Sequence, residues 1–184
     1  MTPTQPSAPR GLTRERRVPP VLIAAAATGA QLMIAARSDR RPSPSSLLAA
    51  ALVASASTWL IADSVARFRR SGTTVDPTAP AATSALVTTG ANGLTRNPMY
   101  VGMAGGLLAH AQARRSWVSL LPVAGFVAAM NRWQIAAEER ALAVHFGQAY
   151  DHYRAVVPRW VGPRSVHAAI SALATPRTFA MKTR

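Results

Sequence analysis

Apolar residues along the chain fall into four blocks, separated by segments rich in arginine, proline, serine and threonine. The first two blocks cover 18–36 and 46–62, and each approaches the ~20 residues that cross a bilayer as a helix. The third begins at Pro98, a residue suited to the first turn of a helix, and the fourth covers 117–129. The pattern predicts an all-α integral membrane bundle with four transmembrane helices, near 18–37, 46–66, 98–113 and 116–135.

The segment between the first two blocks is basic and contains helix breakers, namely Arg37, Arg40, Arg41, Pro42 and Pro44. We therefore expect a turn here, with the two helices forming a hairpin. Alanine contributes much of both blocks, so a pair of buried helices in a soluble protein is the alternative interpretation. A cleaved signal peptide is a further alternative, although the first block starts late for one.

The other segments are polar or amphipathic. Residues 67–89 contain paired threonines with Pro77 and Pro80, and this predicts an extended loop. Residues 136–146 read as an amphipathic helix with Glu138 and Glu139 near its start, where the helix dipole favours anions. We expect three regions in all: a disordered basic tail over 1–17, one membrane domain over 18–160 and a loosely ordered tail over 161–184.

The chain carries 21 Lys and Arg against 7 Asp and Glu, a net charge of +14. The arginines flank the apolar blocks and form no single basic stripe, so we expect a membrane and not nucleic acid as the partner. With four spans, 16 of the basic residues lie on one side and five on the other. The positive-inside rule then places both termini in the cytoplasm. The Arg-, Ala- and Pro-rich composition favours a bacterial plasma membrane.

Cysteine is absent and the four histidines are scattered. A disulfide framework, a cysteine nucleophile and a thiolate metal site are therefore excluded, and no metal centre is expected.

Two polar clusters on the predicted cytoplasmic side could carry chemistry. In the first, the turn at Gly90 leads to Arg96 and to the helix start at Pro98, where free N–H groups and a guanidinium can bind a carboxylate or phosphate. In the second, Glu138 and Glu139 could hold a cation or act as a base. The alternatives are an arginine that extends to the membrane interface and a solvated helix start. The sequence contains no strand–GxGxxG–helix unit, which disfavours a Rossmann fold.

Several motifs occur in a fixed order over roughly 67–160: Gly72-Thr-Thr-Val-Asp-Pro77, Leu86-Val-Thr-Thr-Gly90, Thr95-Arg-Asn-Pro-Met-Tyr-Val-Gly102, Asn131-Arg-Trp-Gln134, Glu138-Glu139-Arg140, Phe146-Gly147-x-x-Tyr150-x-x-Tyr153 and Val157-Pro-Arg-Trp160. Together they resemble the isoprenylcysteine carboxyl methyltransferase family and the related phospholipid N-methyltransferases. The resemblance implies a membrane-embedded methyltransferase that uses S-adenosylmethionine and a lipophilic acceptor from the bilayer. It makes Arg96 and Glu139 the candidate catalytic residues, and the cofactor-binding candidates are Leu86, Val87, Gly90, Arg96, Asn97, Pro98, Tyr100, Glu138 and Glu139.

Within this resemblance, Arg96 is the candidate for a carboxylate of the donor or acceptor, and Glu138 or Glu139 for the donor's amino or ribose groups. The sequence departs from the family at Asn92-Gly93, where a tyrosine and a basic residue are common, and at Asn97, where histidine is more usual. The departures leave open a non-catalytic membrane protein that keeps the fold. A small transporter or channel subunit has less support, because only Gln31 and Asp63 interrupt the predicted spans.

Three glycines, Gly102, Gly105 and Gly106, lie in the third predicted helix below this region. Small residues at such spacing let a neighbouring helix pack closely in lipid. They can equally leave a groove open to the acyl region. Because a polar donor and an apolar acceptor must meet near the cytoplasmic interface, we expect a groove that admits the acceptor.

Overall fold

The computed structural model describes residues 18–72 and 85–165, and all its regular elements within these ranges are helical. The predicted all-α fold is confirmed for this part of the chain. The tails at 1–17 and 166–184 lie outside the described residues, as do Pro77 and Pro80 of the predicted loop. The helices are α1 (Pro20–Ala36), α2 (Pro44–Arg70), α3 (Ala91–Leu94), α4 (Pro98–Ala113), α5 (Leu120–Ala129), a π-helical segment (Met130–Ile135), α6 (Ala136–Phe146) and α7 (Gln148–Val156).

Helix α2 is longer than the sequence pattern predicts. It begins behind a capping box, in which Ser43 and Ser46 satisfy each other's backbone N–H groups. At its other end it continues through Arg67 to Arg70, where an extended loop was expected. The loop prediction is wrong there because basic side chains in the last turn interact favourably with the helix dipole. Polarity alone therefore does not end this helix.

One helix of the described part, α2, is both long and apolar enough to cross a membrane. Its 27 residues span about 40 Å, more than the ~30 Å of a hydrocarbon core. Helix α1 is apolar but has only 17 residues, and α4 has 16. The predicted four-span arrangement therefore remains a prediction.

Helix α4 is the centre of the bundle. It packs along α2, and α1 packs against α4 and α5. The hairpin predicted for the first two helices is therefore wrong, because α2 packs on α4 whereas α1 packs on both α4 and α5. A polar contact fixes α1 in this position: buried Gln31 donates from its amide to the carbonyls of Leu107 and Ser119, at 2.9 Å each.

The glycines of α4 make the contact with α2 possible. A Cβ on Gly102 would lie 2.5 Å from Ile61 and 2.7 Å from the carbonyl oxygen of Ser57, and a Cβ on Gly105 would overlap the Ser57 hydroxyl. The groove predicted at these two glycines is therefore wrong, since α2 fills it. Only Gly106 of the three has open space beside it.

The last helices turn back towards the start of α4. Helix α5 continues through the π-helical segment into α6, and Gly147, with φ +50°, separates α6 from α7. The helix predicted over 136–146 and its interruption at Gly147 are confirmed. Buried Tyr150, Tyr153 and Val157 then pack with Leu86, so the end of the described chain lies against the segment before α4.

Candidate functional site

The loop that precedes α4 is held by the segment that follows α7. The backbone N–H of Arg96 donates to the carbonyl of Pro158 at 2.9 Å. The carbonyl of Arg159 accepts from the hydroxyl of Thr95 at 2.7 Å and from the side-chain amide of Asn97 at 3.1 Å. Two segments about 60 residues apart in sequence are thereby joined, and both belong to the motifs recognised in the sequence.

The central charged group is a carboxylate between two guanidinium groups. One oxygen of Glu139 accepts from Arg96 at 2.8 Å and from Arg159 at 3.0 Å, and the other accepts from Arg159 at 2.5 Å. The side chains of Arg96 and Glu139 are only 12% and 19% exposed, so solvent screens this pair weakly. We call these three residues the Arg–Glu–Arg triad.

Arg96 is anchored by more than its charge. Its guanidinium also donates to the carbonyls of Val157 at 2.8 Å and Arg154 at 2.9 Å. Its Nε is buried without a hydrogen-bond partner. A buried, unused donor on a cationic group is well suited to an anionic ligand, because leaving it unpaired is costly.

A second carboxylate lies one residue away and has different partners. Glu138 accepts from the phenol of Tyr100 at 2.5 Å and from the amide of Gln134 at 2.6 Å. Tyr100 lies in the first turn of α4, and Gln134 in the π-helical segment. Such π-helical turns occur often at functional sites. The two neighbouring glutamates thus have different partners: Glu139 contacts Arg96 and Arg159, and Glu138 contacts Tyr100 and Gln134.

The charges of the triad support one another. Burial raises the pKa of Glu139, but hydrogen bonds from Arg159 and Arg96 outweigh it and hold that pKa below its ordinary value. The same hydrogen bond to Glu139 raises the pKa of Arg159. At neutral pH Glu139 is therefore an anion between two cations.

The buried tyrosines stay protonated. Burial, with the charge of Glu139, raises the pKa of Tyr150 to about 12. Burial also raises the pKa of Tyr153, whose hydroxyl donates to the carbonyl of Asn92 at 2.6 Å. Both phenols therefore stay protonated and cannot act as bases at neutral pH.

Asn92, the departure from the expected tyrosine, is part of the packing. Its side chain is buried and donates to the hydroxyl of Ser64 in α2 at 3.4 Å. Gly93 follows in a tight position, where a Cβ would lie 3.3 Å from the Thr88 carbonyl. Asn92 therefore packs against α2, and a side chain at position 93 would crowd the carbonyl of Thr88.

A polar contact that the motifs did not predict joins α2 to the same loop. Asp63 accepts from Arg67 and from the backbone N–H of Ala91, at 2.7 Å each. Gly90, with φ +62°, lies directly against this pair, and a Cβ there would overlap both side chains. The spacing of Asp63 and Arg67, four residues apart at the end of an apolar block, was a signal that could have identified the pair.

The structure brings four of the nine predicted site residues into contact, and the other five lie between residue 86 and the first residue of α4. Arg96 donates to Glu139 and Tyr100 donates to Glu138, and the two glutamates are neighbours in α6. Asn97 and Pro98 are buried at the start of α4, and Leu86 packs with the buried tyrosines. Gly90 lies beside Asp63 and Val87 is half-buried. Arg159 was part of a recognised motif but not among the predicted site residues, although it completes the triad.

A model of the phospholipid methyltransferase family matches residues 45–149, more than half of the chain. The chain belongs to the phospholipid methyltransferase family. The match runs from α2 into α7, so it includes Arg96, Tyr100 and both glutamates of the site and ends before Arg159. Membership in the phospholipid methyltransferase family implies a membrane-associated methyltransferase. No curated protein and no solved structure matches the chain.

The residues present are compatible with the methyl donor that the phospholipid methyltransferase family generally uses, S-adenosylmethionine. That molecule carries a carboxylate, an ammonium group and ribose hydroxyls. The unused Nε of Arg96 can donate to a carboxylate, and carboxylate oxygens of Glu138 and Glu139 can accept from ammonium or hydroxyl groups. Within the described residues no group of His, Cys, Asp and Glu could hold a metal ion.

Proposed function

We propose that the protein transfers a methyl group from S-adenosylmethionine to a lipophilic acceptor, at the end of the bundle that contains the Arg–Glu–Arg triad. The observation that carries the proposal is the contact between Arg96 and Glu139, 43 residues apart, within a family of membrane methyltransferases. When bound, S-adenosylmethionine supplies an electrophilic methyl group.

The residues of this chain bind and orient. Arg96 holds a carboxylate through its unused Nε, while Glu139 keeps the guanidinium in place. Glu138 is directed by Tyr100 and Gln134 towards an amino or hydroxyl group. Methyl transfer is a displacement that requires alignment more than acid–base help, so orientation and exclusion of water are the main contributions.

A lipophilic acceptor suits the surface near this end. Trp133 in the π-helical segment, Val144 in α6 and Val156 in α7 are exposed by 65%, 89% and 59%. Exposed apolar groups of this size are typical of a membrane-facing surface. The family description, which names phospholipids, also supports an acceptor of this class.

Binding of S-adenosylmethionine to the detergent-purified protein, measured by calorimetric titration, tests the donor site. Arg96→Ala and Glu139→Gln should each weaken binding about ten- to a hundred-fold, the loss expected for one charged hydrogen bond of ~1.5–3 kcal/mol. Arg159→Gln is the control, because it removes the two hydrogen bonds of Arg159 to Glu139 but leaves Arg96 and its Nε in place. Unchanged affinity in the first two variants would remove the site assignment.

The acceptor is tested by transfer of a radiolabelled methyl group in membrane extracts, followed by partition between organic and aqueous phases. Label in the organic phase is the expected result. Label confined to small water-soluble products would show that the acceptor is not lipophilic.

A non-catalytic role is the second candidate, favoured by the packing of Asn92. Its side chain bonds to α2 and its carbonyl to Tyr153, so this position serves the fold. A wild-type protein that is folded but binds no S-adenosylmethionine in the titration would support this role over methyl transfer.

A further inference from the structure

A cavity of about 410 Å³ lies at the far end of the bundle from the Arg–Glu–Arg triad. It is lined by the turn before α2, the end of α4 and the start of α5, including Arg40, Ser46, Gln112, Arg115, Leu108 and Leu120. The site residues lie at the start of α4 and the cavity at its end. Because α4 has 16 residues, the two are separated by about 24 Å.

The turn after α4 places Arg115 in the lining of this cavity at some cost to the backbone. The N–H of Ser116 donates to the carbonyl of Ala111 at 3.1 Å, and that of Arg115 to Gln112 at 3.0 Å, the two hydrogen bonds of a Schellman motif. Glycine usually occupies the position of Arg115, because φ is positive there. Arg115 has φ +52° and is the only non-glycine residue with positive φ in the described part of the chain. Arginine is thus present where the backbone alone favours glycine.

A second cation is fixed beside it. The guanidinium of Arg40 donates to the carbonyl of Arg115 at 3.0 Å, which ties the turn before α2 to the turn after α4. Among the described residues, no ion pair joins Arg40 or Arg115 to a carboxylate. Two arginines therefore line one cavity, and within the described residues neither of them forms an ion pair with a carboxylate. Ser46 and Gln112 add a hydroxyl and an amide to the same lining.

The surface beside the cavity is apolar and exposed. Trp117, itself part of the lining, is 78% exposed, and Leu47 and Leu48 on α2 are 51% and 64% exposed. A soluble anion would gain nothing from this surface. An amphiphile with an anionic head and acyl chains would use both the guanidinium groups and the apolar surface.

We infer that this cavity binds the phosphate headgroup of an anionic membrane phospholipid, at the end of the bundle remote from the methyl-transfer site. Arg40 and Arg115 bind the phosphate oxygens, and the acyl chains lie along Leu47, Leu48 and Trp117. The inference does not depend on the proposed activity. The lipid bound here is separate from the methyl acceptor, which reacts at the end of the bundle that contains the triad.

The test measures binding of phosphatidylglycerol and phosphatidylcholine, each in mixed detergent micelles, to the purified full-length protein by native mass spectrometry. Phosphatidylglycerol should bind at least about tenfold more tightly, a difference of ~1.4 kcal/mol. Arg40→Gln and Arg115→Gly should each reduce that preference several-fold. Arg115→Gly is informative because glycine suits the turn, so the fold is kept while the charge is lost.

Arg41→Gln is the charge-matched control, since Arg41 lies in the same turn but does not line the cavity. Arg41→Gln should leave the affinity for phosphatidylglycerol within about twofold of wild type. An equal loss of affinity in all three variants would show that general surface charge attracts the lipid, and it would overturn the site. Inorganic phosphate provides the second arm. Competition by phosphate at the same concentration as the lipid would overturn the assignment to a lipid.

Discussion

Glu139 is the residue on which the triad depends, because both arginines of the triad bind to it. In Glu139→Gln, Arg96 would remain largely buried without its anion. We expect the free energy of unfolding to fall by about 2 kcal/mol, within the range for a partly buried charged hydrogen bond. Thermal unfolding in detergent would measure the change.

The exposed pair of Asp151 and Arg154 supplies the control, since its side chains are 56% and 57% exposed. Asp151→Asn should change stability by less than about 1 kcal/mol. Equal losses in Glu139→Gln and Asp151→Asn would contradict a special role for the triad.

The triad also predicts a pH dependence. The pKa of Glu139 is held below its ordinary value of 4.5, so its contribution to stability is complete above pH 4.5 and is lost as the pH falls through the lower, folded value. The difference in melting temperature between wild type and Glu139→Gln should therefore be constant near neutral pH and shrink in acid. A difference that grows as the pH falls would show the opposite linkage.

At the scale of residues, the sequence predicted which side chains gather but not all of their partners. The motifs brought Arg96, Tyr100, Glu138 and Glu139 into one region by resemblance. The contact of Gln134 with Glu138 was not predicted, although the two residues are four apart, the spacing at which helical side chains meet. The role of Arg159 was missed because a contact across 20 residues depends on the turn at Gly147, whose geometry the sequence does not give.

Among the elements, the packing of α2 on α4 makes a sharp prediction about two glycines of one helix. Gly102→Ala should destabilise the protein by about 1–3 kcal/mol, because its methyl group would meet Ile61 and the backbone of Ser57. Gly106→Ala should stabilise it by about 0.5–1 kcal/mol, because the site is open and alanine favours a helix. Thermal unfolding of both variants compares them directly, and a loss of stability at both positions would contradict the packing described.

The junction of α6 and α7 gives a second prediction at this scale. Gly147 has φ +50° and ψ −126°, a conformation almost confined to glycine. Gly147→Ala should cost about 1–3 kcal/mol and loosen α7, although the added methyl group meets nothing within 4 Å. Gly125→Ala within α5, where space is also open, should be neutral or stabilising, and hydrogen exchange at α7 would show whether only the first variant loosens it.

The elements themselves were largely predictable where local signals were strong. Pro98 marked the start of α4 correctly, and the helix over 136–146 was confirmed with its end before Gly147, although it continues from the π-helical segment without a break. The end of α2 was misplaced, since its polar residues continue the helix as far as Arg70, and Gly72 with φ +62° follows its C-cap. The hairpin of the first two helices was wrong, because chain proximity does not decide packing when a later helix carries the small residues that allow close approach.

For the whole molecule, the antiparallel arrangement of α2 and α4 requires that two turns lie on the same side. The hydroxyl of Ser46 donates to the carbonyl of Ala113 at 3.3 Å, and Arg40 donates to Arg115. Reporter fusions after Arg41 and after Arg115 should therefore give the same signal, which the count of basic residues predicts to be external. A fusion after Arg70 should give the opposite one. Different signals after Arg41 and Arg115 would contradict the bundle, and a cytoplasmic signal from both would reverse only its orientation.

The buried amide of Gln31 bears on how the protein is made. Gln31 lies in the first helix to be synthesised, yet its two acceptors, the carbonyls of Leu107 and Ser119, follow 76 and 88 residues later. At ~5–20 residues per second, translation delays these partners by roughly 4–18 seconds. During that interval the amide needs water or the insertion machinery, because lipid offers it no acceptor. We expect α1 of nascent chains truncated before α5 to cross-link to that machinery, so the helix that is made first enters the bundle last.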